Sequence, residues 1–256
     1  MTKEERHSII LDMLITQYSI LVNDLADKLD VSSVTIRKDL TELEKDKKLY
    51  RSHGSAILID PYINNRTINE KEKLYSEEKR LIGKEAAALI TKDDSILIAS
   101  GTTVRALANA IQPHNKLTVI TASLQIAEIL SLNEDIDIIQ LGGMLRHSSI
   151  SVVGQYAEHI LVNFSCSKLF LGVDGIDLDF GITTTNLMEA TLNKEMINAS
   201  QKIIVLADSS KFGRKGFSKI ADMQEIDIII TDSNVPPAVV RRIEEMGIEI
   251  IIAPAS

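Results

Sequence analysis

The sequence predicts an α/β fold in two parts: a small N-terminal domain of helices closed by a β-hairpin, then a larger, doubly wound, mostly parallel α/β domain. Three observations predict it. Amphipathic helical stripes and one alternating segment fill the N-terminal quarter of the chain, a polar charged stretch follows, and from Asp94 onward apolar runs alternate with helical segments. A length of 256 residues also suits two domains better than one core.

The first stripe, Ile9, Ile10, Met13 and Leu14, predicts a helix that Thr2 caps and that ends near Gln17 to Ser19. Leu21, Leu25, Ala26 and Leu29 form a second. DVSS is then a short polar turn, and Val34, Ile36, Leu40 and Leu43 form a third helix with Ser32 or Ser33 as N-cap. Helix, tight turn and helix are followed by KKLYRSHGSAILI, whose alternation predicts a hairpin turning near His53 and Gly54, in the position of a wing. The organisation expected is a winged helix-turn-helix domain over 1–59, a linker over 60–80 whose charged run NEKEKLYSEEKR passes into a helix continuing through Ala88, and a sensor domain over 81–256.

In the larger part SILIAS, LTVITA, IDIIQLGG, KLFLGVDG, KIIVLADS, IDIIITD and IEIIIA are apolar on both faces. Helical patterns separate them: Ala106 to Ile111, Leu124 to Leu132, Leu187 to Ala199 and Pro237 to Met246. Such runs predict a parallel sheet covered on both sides. Met144, Met188 and Met196 are expected to fill its core.

The single cysteine, Cys166, rules out a disulfide framework or a thiolate metal site, and the five histidines lack metal-ligand spacing, so no metal and no cofactor are expected. No apolar run approaches the ~20 residues of a membrane span, and MTKEERHSII lacks the apolar core of a signal peptide, so a cytoplasmic protein without membrane association is expected. The net charge of −8 argues against a nucleic-acid binder only on average. From Val31 to Leu58 six basic residues stand against four acidic ones, and local charge decides DNA contact.

The third helix, SSVTIRKDLTELEKDKK, has recognition-helix chemistry. Ser32, Ser33, Thr35, Arg37 and Lys38 are hydroxylic or basic and suit phosphates and base edges, Arg37 best of all, while Val34, Ile36 and Leu40 anchor the opposite face. A plain helical bundle with a charged face fits the pattern equally well. The whole segment, however, resembles the N-terminal domain of the DeoR family of bacterial regulators, above all in VSSVTIRKDL and in YRSHGSA. It departs from that family at Ser55, where a second glycine is usual. The resemblance implies groove and phosphate contacts by Ser33, Thr35, Arg37 and Lys38, and wing contacts by Arg51 and His53. Asp39 would repel phosphate and is expected to pair with a neighbouring base. Helix-turn-helix proteins usually bind paired half-sites of double-stranded operator DNA, which implies a homo-oligomer, dimer or tetramer.

In the larger domain a strand runs through Ser100, Gly101, Thr102 and Thr103 into a helix, and hydroxyls beside open backbone N–H groups make an anion cradle. A lone SGTT is also an ordinary capped turn. Other strand ends add Gly142, Gly143 and Arg146, then Asp174, Gly175 and Asp177, then Gly181, Thr183 and Glu189, then Asp208 and Lys211. Such a convergence predicts a site for a phosphorylated polyol.

GVDGIDLDFGITTTNLMEA and ADSSKFG also resemble the DeoR-family sensor domain, so the likeness covers nearly the whole chain. That domain is similar in turn to ribose-5-phosphate isomerase and glucosamine-6-phosphate deaminase, which raises an enzyme alternative. The isomerase pattern has a lysine before its glycine-rich turn, where this chain has Phe180. Glu189 as a base would then lack the electrostatic stabilisation of an enediolate. Binding without turnover is the expectation, in a repressor of a carbohydrate operon whose sugar phosphate acts on DNA binding through the linker.

Overall fold

The computed structural model describes the chain except residues 18, 47–48, 53–54, 59–67, 93, 113–115 and 256. Contacts divide it into two units, Met1–Asn64 and Asn65–Ser256.

The first unit comprises α1 (Lys3–Gln17), β1 (Ser19–Leu21), α2 (Val22–Leu29), α3 (Ser33–Lys45), β2 (Leu49–Ser52) and β3 (Ser55–Leu58). Thr2 caps α1, since its hydroxyl accepts from the Glu5 N–H at 3.2 Å while Glu5 accepts from the Thr2 N–H at 2.7 Å. The antiparallel β2–β3 hairpin pairs Ser52 with Ser55, and β1 joins it to give the order β1-β3-β2. The three-residue β1 was not anticipated, because its sequence continues the helical stripe. Ile10, Leu14, Leu25, Ile36, Leu40, Leu43 and Leu49 form the core. Val34 does not join them and stands 58% exposed. At about 100° per residue it lies some 200° around the helix from Ile36, which corrects its expected role as an anchor.

The second unit opens with α4 (Ile68–Glu72) and α5 (Ser76–Ala88). Of the expected linker at 60–80, residues 60–67 lie outside the described residues, and residues 68–80 are part of this unit. The run is charged but not detached, because Ile68 and Lys79 are buried. There follow β4 (Ser95–Ile98), α6 (Thr102–Ala110), β5 (Leu117–Thr121), α7 (Leu124–Leu130), β6 (Ile136–Gln140), β7 (Met144–Arg146), β8 (Ser151–Val153), α8 (Gln155–Leu161) and β9 (Lys168–Gly172). The remainder is β10 (Gly175–Asp177), β11 (Gly181–Thr184), α9 (Leu187–Asn198), β12 (Ile203–Leu206), β13 (Ser218–Ala221), β14 (Ile228–Asp232), α10 (Pro237–Glu245) and β15 (Glu249–Ala253).

Seven strands form one sheet in the order β15-β14-β12-β9-β4-β5-β6, each neighbouring pair parallel. Side chains alternate between its faces. Leu97, Leu169, Leu171 and Val205 pack with α8, α9 and α10 on one side. Ile96, Ile98, Phe170 and Ile204 pack with α5, α6 and α7 on the other. From β4 the chain winds one way through β5 and β6, and later the other way from β9, so strand order reverses between β4 and β9. Ligands of open α/β sheets bind beyond the strand C-termini at such a reversal.

Two small sheets, β10-β11-β13 and the β7–β8 hairpin, were not anticipated, nor was α8. Met196 is in the core as expected, but Met144 is 57% and Met188 38% exposed, on β7 and on the first turn of α9.

Helices α5 and α6 meet closely at Gly83, where a Cβ would stand 2.5 Å from the Ala106 carbonyl carbon. Gly83→Ala is expected to lower stability by about 2–3 kcal/mol through overpacking. At Gly142 a Cβ meets nothing within 4 Å, and Gly142→Ala should leave the melting temperature nearly unchanged. Equal melting of the two variants would refute the tight contact.

Candidate DNA-reading helix and anion-binding cleft

Ser32 is the N-cap of α3: its hydroxyl accepts from the Thr35 N–H at 3.1 Å and lies 2.9 Å from the Thr35 hydroxyl. Arg37 donates to the Ser33 hydroxyl at 3.3 Å. Arg37 and Lys38 are exposed, whereas Ser33 and Thr35 are half-buried. Asp39 faces inward and is 3% exposed. Arg6 grips it with two hydrogen bonds of 2.5 and 2.9 Å, and His7 lies 3.3 Å away, so the expected pairing holds. Burial pushes the Asp39 carboxyl up, but the Arg6 bonds and charge outweigh it and hold it below the ordinary carboxylate range. The Asp39 charge is thereby compensated inside the unit by Arg6, away from the exposed Arg37 and Lys38. Arg51 lies on β2, and His53 lies outside the described residues.

In the second unit a cleft of about 650 Å³, open mouth included, lies where β4 and β9 end. Ser100, Gly101, Thr102 and Thr103 line one side, following β4 into α6. Gly101 is the N-cap of α6, at φ +135°, and supplies no capping side chain. The first-turn N–H groups of α6 thus lack a side-chain acceptor, which suits an anion. Gly172, Val173 and Asp174 line the facing side after β9.

Three cations and two carboxylates face this space. Arg146 donates to Glu189 at 2.9 Å, and Lys71 donates to Asp174 at 2.6 Å. Asp174 also accepts from the Thr184 hydroxyl at 3.1 Å and the Thr185 N–H at 3.2 Å. Lys211, at the end of the 3₁₀ turn Ser209–Lys211, makes no ion pair among the described residues. The Ser148 hydroxyl lines the cleft, is buried and has no hydrogen-bond partner among the described residues. Buried polar atoms are ordinarily paired, so this one awaits a ligand group or water. No cluster of three potential metal ligands occurs among the described residues.

Burial pushes the Asp174 carboxyl up, yet the charges of Lys71 and Lys211 and the hydrogen bonds overcome it and hold the group at about 2. Burial also brings Lys79 down to about 8, assisted by Lys211 and Lys71. Lys79 donates to the carbonyls of Lys71 and Leu74, at 2.6 Å each, and so fastens the end of α4 to α5. Because the folded carboxyl of Asp174 lies below its ordinary 3.8, its stabilisation is present above that value and is lost as pH falls toward 2. It amounts to about 2 kcal/mol. Asp174→Asn should accordingly flatten the acid-induced loss of stability of this unit between about pH 4 and about pH 2, measured by urea unfolding at each pH. An unchanged pH slope would contradict the ion pair.

Of the residues expected at this site, the structure brings together Ser100, Gly101, Thr102, Thr103, Arg146, Asp174, Glu189 and Lys211. Gly142, Gly143, Gly175, Asp177, Gly181, Thr183 and Asp208 do not line the cleft. Gly181, at φ +108°, belongs to β11, and a Cβ there would fall 2.1 Å from the Ala221 carbonyl oxygen. Gly175 lies as close to Arg214, its Cβ position 2.5 Å from that carbonyl oxygen, and Gly143 to Val153 at 2.7 Å. Thr183 is buried, accepting from the Gly216 N–H at 2.7 Å. Asp177 accepts from the N–H groups of Asp179 and Phe180 in its own turn. Asp208, fully buried, caps the turn that carries Lys211. Lys71 and Asn193 line the cleft without having been expected, and Ser148 and Ser149 line it from the stretch Met144 to Val152, where the sequence suggests that ligand specificity lies. Lys71 was hidden in a charged run.

Residues 6–62 match the DeoR-like helix-turn-helix domain, and residues 75–233 match the DeoR C terminal sensor domain. The uncharacterized HTH-type transcriptional regulator YulB of Bacillus subtilis is 38% identical, covering 98% of this chain and 97% of its own length. The glycerol-3-phosphate regulon repressor of Escherichia coli is 28% identical over 98% of this chain and 99% of its own length. Among solved structures, ribose 5-phosphate isomerase A of Methanocaldococcus jannaschii aligns at a TM-score of 0.40 with 16% identity, over 54% of this chain and 55% of that one.

Proposed function

The chain belongs to the DeoR family of transcriptional regulators, and on that footing we propose that it represses a carbohydrate operon and releases the DNA when a sugar phosphate binds the cleft. Its matched relatives are transcriptional regulators, and the chain is a regulator, not an isomerase or deaminase. No described helix is long and apolar enough to cross a membrane.

The observation that carries the ligand class is the uncapped α6 N-terminus facing Lys211 and Lys71 at the strand-order reversal. The phosphate takes the N–H groups of Thr102 and Thr103, the Thr102 hydroxyl and the Lys211 ammonium. Sugar hydroxyls then meet Asp174, Glu189, Arg146 and Ser148. The name of the Escherichia coli relative, a glycerol-3-phosphate regulon repressor, supports a phosphorylated polyol.

The phosphate also competes with Asp174 for Lys71. That competition gives the bound state a different α4, and a ligand shifts an equilibrium only by such differential contacts. Helix α4 is the first described element after residues 59–67, so its displacement acts on the segment leading back to the first unit. In the first unit α3 enters the major groove of double-stranded operator DNA, with Ser32, Ser33, Thr35, Arg37 and Lys38 on phosphates and bases and Arg51 and His53 at the wing. Two or four copies act together on paired half-sites.

A thermal-shift screen tests the ligand class. A ligand at 100 times its Kd is expected to raise the melting temperature by roughly 5–10 °C, and only phosphorylated sugars should do so. A shift with the unphosphorylated sugar of the same series, or with none of the phosphates, would overturn it.

A further inference from the structure

Helix α3 carries four apolar residues, of which Ile36, Leu40 and Leu43 are buried while Val34 is 58% exposed. Val34, Arg37 and Lys38 stand at i, i+3 and i+4, one outward face opposite the buried stripe. The hydroxyls of the same first turn are engaged locally. Ser32 bonds Thr35, and Ser33 accepts from Arg37. Beside these hydroxyls the helix presents two exposed cations and one exposed isopropyl group at the end where recognition helices meet base edges.

An isopropyl group has no hydrogen bond to give, and in the major groove only thymine offers an apolar partner, its C5 methyl. Against cytosine or adenine the same group would cover an amino donor and leave it unpaired. Resting on the reading of α3 as the DNA-contacting helix, we propose that Val34 determines operator sequence by packing on a thymine methyl in each half-site. Arg37 and Lys38 hold the helix on that site through phosphate or guanine contacts.

Full-length protein is used to select duplexes from a random pool. Its affinity for the selected duplex is then measured by fluorescence anisotropy, with each thymine replaced in turn by deoxyuridine, which removes only the methyl group. One thymine per half-site is expected at which replacement weakens binding about fourfold, the ratio for one buried methyl at ~0.8 kcal/mol. Val34→Ser should bring that ratio close to one at this position only, with unchanged thermal melting, since the side chain is exposed. Thymine dependence that is absent in the wild type, or identical in Val34→Ser, would overturn the role of Val34. A pool from which nothing is enriched would overturn it together with the assignment of α3 to DNA, and that failure is distinct from enrichment without methyl dependence.

Discussion

Replacing Asp39 by alanine should lower the stability of the first unit by about 3–5 kcal/mol and weaken DNA binding, although Asp39 faces inward. Among the described residues Asp39 is the only carboxylate that Arg6 grips, and it also meets His7; the side chains of both partners are less than a fifth exposed. Removing one member of a buried ion pair costs about 3–5 kcal/mol, because the other charge is left without compensation. A unit ending near residue 64 holds a total stability of about 3–10 kcal/mol at ordinary values per residue. Calorimetry of the full chain should then show the transition of the second unit kept and that of the first lost or far down in temperature. Loss of DNA binding with both transitions in place would instead put Asp39 at the DNA surface.

The double variant Thr102→Val with Lys211→Ala should weaken effector binding at least about 100-fold, since hydrogen bonds to a charged group contribute about 1.5–3 kcal/mol each. Both residues line the cleft, and neither lies in the first unit, so affinity for DNA without effector should be unchanged. Titration calorimetry with the effector, and anisotropy on the operator, separate the two effects. Unchanged effector affinity would move the phosphate away from the α6 N-terminus.

The seven parallel strands were legible because each run is apolar on both faces and four helical patterns separate them. Helices α1, α2 and α3 were legible for the same reason, their stripes being regular and their caps, Thr2 and Ser32, being hydroxylic. What escaped was short or glycine-rich. The strands β10 and β11 begin with Gly175 and Gly181, and those glycines looked like ligand loops. Their lack of a side chain instead permits close backbone contact with Arg214 and Ala221. The cleft was half legible: residues at the ends of β4 and β9 follow from topology, but Lys71 arrives from α4, more than a hundred residues before its partner Asp174. Pairing across that distance has no local signature. Val34 shows the converse failure, since a hydrophobic residue within an amphipathic helix was assigned to the core by type when its angular position puts it outside.

The most direct measurement follows the DNA complex itself. Full-length protein bound to its selected duplex at fixed salt is titrated with a panel of sugar phosphates while each compound is assayed for isomerisation and deamination. One phosphorylated sugar should release the DNA without being converted, and the Thr102→Val, Lys211→Ala variant should stay bound at the same concentration. DNA binding indifferent to every phosphorylated sugar, or a sugar phosphate turned over without any effect on the complex, would contradict a repressor controlled through this cleft.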